Sequence, residues 1–490
     1  DEPSPDTMSM VDDSRTAVVE RDAASVLSAP LTRDAIEAVV HRCVQEVQAV
    51  DVHTHLLPHS HGGLLYGIDE LLTYHYLIAE LFMVLPPSDP AEEADSCYFP
   101  GSSPSYDLFF SWSKSRQAEL VFEELFVKRS PLSEACRGVL TVLKSLGLGD
   151  EVRAAAQKPT QPRLQELRQW FESQDPDEYL ELVFKTAGIR YAIMTNVPFA
   201  PEEAKHWMAF EQGQPKPHVP ARLKAALRVD PLLSGDWRGV SAALARCSPP
   251  YEASLHGCRK YLLDWVERMQ PIYLMASTPA GFTYTPTRSN DSQSKESPIA
   301  ARGRETEAAS PTPAELLELL LDVAAERGLP LALKVGAVRG MNPSLRAGGD
   351  GVEVADLSFI STLCKRYPKV KFLLTVLAAS NQHELCVLAR KFGNLHVYGC
   401  WWFCNNPSII ETTTRMRLEM LGTAFTCQHS DARVLDQLLY KWSHSRAVIS
   451  PVLAQQYVKL VDAGWDVYED QIRQDVHRLF GGAFEDFMQK

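Results

Sequence analysis

Short apolar runs recur along the chain, and stretches with helical periodicity follow most of them. The runs are mostly continuous rather than alternating, which is typical of parallel strands covered on both faces. Amphipathic stretches such as 313–326 and 382–391 predict crossover helices between them. The eight predicted strands are 48–56, 189–196, 223–230, 271–277, 330–337, 371–377, 394–402 and 422–431.

Eight strand–helix units in one chain predict an α/β fold, a (β/α)8 TIM barrel, with a doubly wound open sheet as the alternative. Residues 57–180 carry helical patterns without a good strand, so we expect a helical insertion after the first strand. Residues 281–312 are polar and rich in Pro and Ser, which favours a long mobile loop. An acidic polar tail over 1–30 leaves one predicted barrel domain over 31–490.

Composition narrows the class of protein. The chain has 490 residues, 45% of them hydrophobic and 23% charged, which is typical of soluble globular proteins. A net charge of −13 argues against nucleic-acid or anionic-membrane binding, and no apolar run reaches the roughly 18 residues of a membrane span. Ten scattered cysteines without CxxC pairs favour the cytoplasm or another reducing compartment. A cleaved targeting segment upstream stays an open alternative.

Polar residues concentrate at the carboxyl ends of the predicted strands. In barrel enzymes, that rim carries the catalytic residues. Because the polar residues lie at the same end of the predicted parallel strands, the sequence predicts a site at this end. The residues concerned are His53, His55, Asn196, Asp230, Lys334, Trp401, Trp402 and Asp431.

The first candidate constellation is His53, His55 and Asp431. Strand side chains alternate between faces, so the two histidines point the same way. The first and eighth strands are neighbours in a closed barrel, which brings Asp431 beside them. Two imidazoles and one carboxylate leave positions open, as in catalytic sites for one divalent metal, with zinc expected first and manganese or iron also fitting. The alternative is that Asp431 caps a helix near Ala432, and His429 is a neighbouring second candidate.

Other candidate residues favour an anionic substrate. Arg228, Lys334, Arg339 and Arg433 lie near strand ends, and arginine forks match carboxylates, although each alone could be solvated or ion-paired. Tyr76 lies in a predicted helix of the insertion and reaches the site only if that helix folds over the barrel mouth. Trp401 and Trp402 either line a sugar-binding face or close the top of the barrel.

Several blocks, in matching order, resemble the uronate isomerase (glucuronate isomerase) family of the amidohydrolase superfamily. The resemblance runs from about residue 45 to about residue 465 and is strongest in the last third. There, residues 368–377 resemble the family's strand-six block, and 399–403 (GCWWF) its GxxWWF-type segment. The remaining blocks are Gly336-Ala337-Val338-Arg339 with Asn342, Asp431-Ala432-Arg433 in place of Asp-Ser-Arg, and His75-Tyr76.

The resemblance implies a metal-dependent (β/α)8 barrel with a helical insertion that often forms homo-oligomers. It implies interconversion of glucuronate with fructuronate, or of galacturonate with tagaturonate. The implied metal ligands are His53, His55 and Asp431. The implied substrate contacts are Tyr76, Arg228, Arg339, Trp402 and Arg433.

The chain also departs from the family pattern. Lys334 stands where the family has a strand-five histidine, Asn196-Val197-Pro198 replaces Asp-Asp-Pro, and Leu77-Ile78-Ala79 replaces Lys-Trp-Arg. Lys334 could bind a carboxylate, act as a base if burial lowers its pKa, or contact the metal region directly.

Three functions follow from these residues. The first is aldose–ketose isomerisation of a sugar acid by proton transfer at C2, with Asp431, Tyr76 and Lys334 as catalytic candidates. The second is another metal-dependent reaction of the superfamily, either hydrolysis or decarboxylation of a small carboxylate. The third is a non-catalytic scaffold, which the lost substrate contacts favour and the retained metal ligands argue against; fold alone does not decide among the three.

Overall fold

The computed structural model describes residues 29–86, 103–208, 219–287 and 310–490. Most of the predicted tail (1–30) and of the predicted mobile loop (281–312) lies outside these residues. Among the described cysteines, all nine are free thiols. None of the helices in the described ranges combines the length and apolar character that a membrane crossing requires.

The described residues form eight strands and twenty α-helices. The strands are β1 Ala49–Thr54, β2 Ile189–Asn196, β3 Leu223–Arg228, β4 Leu274–Pro279, β5 Leu331–Val338, β6 Gly351–Val352, β7 Phe372–Val376 and β8 Leu395–Val397. The first ten helices are α1 Arg33–Glu46, α2 Ile68–Leu72, α3 His75–Val84, α4 Tyr106–Ser111, α5 Lys114–Phe122, α6 Glu134–Ser145, α7 Gly149–Gln157, α8 Gln165–Glu172, α9 Pro176–Ala187 and α10 Pro201–Met208.

The remaining helices lie between β3 and the carboxyl terminus. They are α11 Asp230–Leu233, α12 Trp237–Ala245, α13 Leu255–Met269, α14 Pro313–Arg327, α15 Ser358–Arg366, α16 Asn381–Ala389, α17 Pro407–Leu421, α18 Gln437–Asp462, α19 Glu469–His477 and α20 Ala483–Gln489. Short 3-10 segments cover His59–His61, Pro343–Gly349 and Trp402–Cys404, and π-helical turns cover Glu123–Val127 and Arg478–Gly482.

The strands form one curled sheet in the order β1-β2-β3-β4-β5-β7-β8, and every pair along this path is parallel. The short β6 pairs antiparallel with the end of β5. Parallel strands need crossover connections, and helices supply them. For example, α14 begins with a capping box between Thr312 and Glu315 and ends at Gly328 in the left-handed conformation, which turns the chain into β5.

The first seven predicted strands are confirmed, with β8 much shorter than the predicted 394–402. The chain turns at Gly399, where φ is +62°. A Cβ atom built there would lie 1.7 Å from Nδ1 of His429, so only glycine fits. The strand therefore ends before the tryptophans of the rim.

The eighth predicted strand (422–431) is not a strand in the described residues, because residues 422–425 form a turn and Thr426 makes only an isolated bridge to Tyr398. From Thr426 onward, this segment still contacts both edges of the sheet. On one side, Thr426 N donates to Val397 O of β8 at 3.0 Å, and Gly399 N donates to Thr426 O at 2.9 Å. On the other side, Asp431 N donates to His53 O at 3.1 Å, and His55 N donates to Ala432 O at 2.7 Å. These hydrogen bonds place Asp431 beside the end of β1.

The described residues between β1 and β2 form helices α2 to α9. Helix α9 begins at the side-chain cap of Asp175, and Gly188 in the left-handed conformation ends it directly before β2. Helix α3 packs against the 3-10 segment Pro343–Gly349, which follows β5. This contact brings the amino end of α3 to the carboxyl end of the sheet.

Candidate active site

The site begins at the end of β1, which is buried along its whole length. His53 is completely buried, and His55 directly follows the strand with its side chain 16% exposed. The two rings meet edge to face, with centroids 5.0 Å apart. The strand therefore presents both imidazoles toward the same space, as its alternation predicts.

Asp431 is held beside these histidines in a strained backbone conformation. Its φ is +53°, in the left-handed region that Asp tolerates better than most residues. Asp51 of β1 supports the preceding residue, because its carboxylate accepts hydrogen bonds from Ser430 N at 3.0 Å and from Trp442 Nε1 at 2.9 Å. The local backbone thus fixes Asp431 before any ligand binds.

The three side chains have the spacing of a metal site. Oδ1 of Asp431 lies 3.1 Å from Nε2 of His53 and 3.4 Å from Nε2 of His55. Ligands that are about 2.0–2.2 Å from a zinc ion lie about 3.0–3.6 Å from one another. This His-His-Asp group could therefore hold a divalent metal.

Lys334 of β5 reaches into the same group. Its Nζ lies 2.6 Å from Nε2 of His53 and 2.8 Å from Oδ1 of Asp431. It also lies 4.5 Å from the centre of the Trp401 ring, within range of a cation–π contact. Of the roles considered for Lys334, direct contact with the proposed ligands is the one the geometry shows.

Burial and charge set the protonation states of this cluster. Burial and the nearby Lys334 ammonium hold the pKa of His53 well below its usual value, and burial lowers the pKa of His55 to about 3. Burial lowers the pKa of Lys334 to about 8, against the opposing pull of Asp431. Burial acts to raise the pKa of Asp431, but Lys334 and both histidines outweigh it and hold this pKa well below its usual value. At neutral pH the imidazoles are neutral and the carboxylate is ionised, as metal ligands require.

Arg228 lies behind His55 and is already paired. Its guanidinium donates to Oδ2 of Asp230 at 2.5 Å and lies 3.3 Å from Nδ1 of His55. Asp230 also accepts a hydrogen bond from Ser277 N at 2.8 Å. The Arg228–Asp230 pair joins the ends of β3 and β4. Asp230 therefore partly neutralises the positive charge of Arg228.

A cavity opens from the cluster to the surface. Water-sized groups can reach about 60 Å³ of it, within an opening of about 450 Å³ in total. The lining residues are His55, Tyr74, His75, Arg228, Ser277, Lys334, Arg339, Ala347, Asp350, Trp401, Trp402, Asp431 and Arg433.

Comparison with known proteins identifies the family. Neither a protein-family model nor a curated protein matches the chain. A solved uronate isomerase from Bacillus halodurans is 38% identical, with 94% of this chain and 97% of that chain covered and a TM-score of 0.78. This chain belongs to the uronate isomerase family. Two further structures share the fold at a TM-score of 0.65, a uronate isomerase from Thermotoga maritima (16% identical, 94% and 99% covered) and a glucuronate isomerase from Caulobacter crescentus (14%, 92% and 94%).

As a uronate isomerase family member, the protein is an isomerase, and most of the predicted site residues line its cavity. Arg339 pairs with Asp350, and its guanidinium lies 5.8 Å from the centre of the Trp402 ring. Arg433 is exposed at the mouth. Trp402 has a φ of +45°, a second strained residue at this rim.

Two of the predicted site residues, His53 and Tyr76, do not line this cavity. His53 is completely buried behind the lining, and Tyr76 lies on helix α3. Tyr76 packs against Trp401 and Trp402, while its neighbours Tyr74 and His75 reach the opening. Burial and Tyr74 raise the pKa of Tyr76 well above its usual value, so its hydroxyl stays protonated. Helix α3 therefore does approach the mouth, but with a different face than the sequence suggests.

The sequence patterns do not point to four of the lining residues: Tyr74, Ser277, Ala347 and Asp350. Ser277 ends the fourth predicted strand, so the strand-end rule could have found it. Asp350 follows a 3-10 segment, where no periodic pattern marks it.

Proposed function

We propose that this family member interconverts the aldose and ketose forms of a sugar acid of the glucuronate or galacturonate type. The observation that carries the proposal is a single cavity with two chemically distinct ends. A buried His-His-Asp group with Lys334 lies at the inner end, and arginines lie at the mouth. Support for the substrate class comes from the 38% identical relative, whose name is uronate isomerase.

The mouth suits a carboxylate. Among the described residues, Arg433 has no ion-pair partner, so its guanidinium can form a bidentate contact with an incoming carboxylate. Arg339 stands nearby but already pairs with Asp350. We therefore assign the main carboxylate contact to Arg433, with Arg339, Arg228 and Trp402 shaping the rest of the pocket.

The inner end suits proton transfer between C1 and C2. Asp431 is ionised and, as a base, takes the proton from C2; the resulting enediolate accepts a proton at C1, while the hydroxyl proton of C1 or C2 moves to the neighbouring oxygen. The Lys334 ammonium, 2.8 Å from Asp431, offsets the negative charge of the intermediate. No atom is gained or lost, and no external oxidant is needed.

Tyr76 is assigned a smaller part. Its protonated hydroxyl can donate a hydrogen bond to a sugar oxygen, but only after α3 moves toward the cavity. We infer that the residues between β1 and β2 (57–180) act as an insertion that carries this helix over the mouth.

His53, His55 and Asp431 are the residues that would hold one divalent cation, with zinc the first expectation and manganese or iron also compatible. When bound, such a cation would polarise the oxygens at C1 and C2 of the sugar. The ligand set contains only nitrogen and oxygen donors of neutral or ionised side chains, which fits this class of metal.

We also infer that the curled sheet closes into a barrel. The segment 425–431 has hydrogen bonds to β8 and β1, so it takes the position of an eighth strand and closes a (β/α)8 barrel. The described residues from 31 onward then form one barrel domain. A homo-oligomer stays a prediction from the family resemblance.

The test is to incubate the protein, with and without added zinc or manganese, with glucuronate and galacturonate in D2O. We expect ketose formation with deuterium at C1 of the ketose, and deuterium at C2 of the sugar acid re-formed by the reverse reaction, all followed by NMR. The Asp431→Asn variant, prepared in parallel, controls for a contaminating isomerase. If neither sugar acid forms a ketose or exchanges its C2 proton, the proposal is wrong.

A further inference from the structure

Lys334 occupies the space where the ligand atoms of the His-His-Asp group converge. Its side chain is 2% exposed, and its ammonium contacts Nε2 of His53 and Oδ1 of Asp431. Its strand neighbours in the register are Ser277 of β4 and Thr375 of β7, so it extends from the middle of the sheet. The ammonium therefore contacts two of the three atoms that would bind a metal.

The hydrogen bond between Lys334 and His53 excludes a metal from the same nitrogen atom. A lysine ammonium has three donors and no acceptor, so Nε2 of His53 must offer its lone pair to Lys334. The proton of this imidazole then lies on Nδ1, which has no hydrogen-bond partner among the described residues. A metal would use the same lone pair on Nε2. One lone pair serves either the ammonium or the metal.

Charge leads to the same conclusion. The cluster of two neutral imidazoles, one carboxylate and one ammonium is already neutral overall. A divalent cation added to it would leave two uncompensated positive charges in a buried site, with Arg228 only 3.3 Å from His55. Without the lysine, the same cation would leave one uncompensated positive charge. A single excess positive charge is usual for a metal site with two histidines and one carboxylate.

We propose that Lys334 is a built-in occupant of the metal position, and that a divalent cation binds only by displacing its ammonium from His53 and Asp431. The inference deepens the proposed function and rests on its ligand set. It assigns this protein a weaker metal site than its three ligands alone would form.

Metal binding in the absence of substrate tests this inference. Zinc is titrated into the full chain against a chromophoric chelator, and cobalt binding is followed by visible absorption, which reports direct coordination. The Lys334→Met variant has a side chain of similar length and no charge. We expect it to bind one equivalent of zinc about 100-fold more tightly than the wild type. Groups that contact metal ligands change metal affinity by factors of about this size.

Lys441 offers a matched control. It is also a buried lysine of this region, but its Nζ donates to Ser430 O at 2.6 Å rather than to a proposed ligand. We expect Lys441→Met to bind zinc as the wild type does. Adding Asp431→Asn to Lys334→Met should remove the gained affinity, which shows that the metal uses this site.

A wild-type protein that binds one equivalent of zinc as tightly as Lys334→Met would overturn the inference. Lys334→Gln serves as a second variant, and circular dichroism verifies that each variant is folded. If neither variant folds, submicromolar zinc binding by the wild type with a cobalt spectrum of coordinated histidine still overturns it. Because no sugar is present, this result is independent of whether the protein isomerises uronates.

Discussion

The two ends of the cavity differ in how their charges are neutralised. The inner cluster, made of His53, His55, Lys334 and Asp431, is buried, and its opposite charges contact one another. The mouth arginines, Arg339 and Arg433, are exposed to solvent. The charges of the inner cluster are therefore neutralised within the fold, whereas the exposed guanidinium of Arg433 is available to a ligand.

The energetic consequence follows from burial. Removing one partner of a buried ion pair costs about 3–5 kcal/mol, because the remaining charge is left without compensation. An exposed charge costs about 0–1 kcal/mol. Changes in the inner cluster should therefore lower stability and activity together, and changes at the mouth should affect substrate binding alone.

The largest effect is expected for Asp431→Asn. This change leaves the Lys334 ammonium buried beside two imidazoles and removes the proposed base. We expect kcat to fall by about 1000-fold and the free energy of unfolding to fall by about 3 kcal/mol. Steady-state kinetics and urea denaturation measure the two quantities.

Asp462→Asn is the control for this prediction. Asp462 is an exposed carboxylate paired with Arg33, so its loss should change the free energy of unfolding by less than about 1 kcal/mol. Equal losses of stability in the two variants would show that the inner cluster is not held by its buried charges.

The next effect is expected for Asp51→Asn, which weakens the support behind Asp431. The carboxylate of Asp51 binds Ser430 N and Trp442 Nε1, so an amide there loses one acceptor and adds an unmatched donor. We expect a loss of about 2 kcal/mol in stability and of about 100-fold in kcat. Full activity with unchanged KM would mean that the position of Asp431 does not depend on this anchor.

The inner cluster was the more predictable of the two ends. The alternation of a buried strand places His53 and His55 on one face, and the barrel expectation places Asp431 beside them; both follow from regular geometry. The contact of Lys334 with His53 was only one of three alternatives, because strand position does not determine how far a flexible side chain reaches. The left-handed backbone of Asp431 had no signal in the sequence.

The mouth and the eighth strand were less predictable. The run 422–431 predicts a strand, yet its first four residues form a turn and its contacts with the sheet are isolated hydrogen bonds. The sequence points to Tyr76 as the contact from this helix, whereas its neighbours Tyr74 and His75 line the opening. Which face of a helix meets a cavity depends on tertiary packing, here of α3 against the segment after β5.

At the mouth, Arg433→Met should raise KM for the sugar acid by about 30-fold, the value of one charged hydrogen-bonded contact of about 2 kcal/mol. We expect little change in kcat or in the free energy of unfolding, because the guanidinium is exposed. Kinetics at varied substrate concentration separate the two parameters. A fall in kcat with constant KM would assign Arg433 to the inner cluster instead.

The smallest effect is expected for Arg339→Met. Its guanidinium already pairs with Asp350 and lies near the Trp402 ring, so a carboxylate must compete with an existing partner. We expect KM to rise by less than about 5-fold, a loss of under about 1 kcal/mol, as for other exposed pairs. The double variant Arg339→Met/Asp350→Asn removes both charges and should have the KM of the single variant. If Arg339→Met instead raises KM more than Arg433→Met does, the substrate carboxylate displaces Asp350, and the two arginines exchange the roles assigned to them.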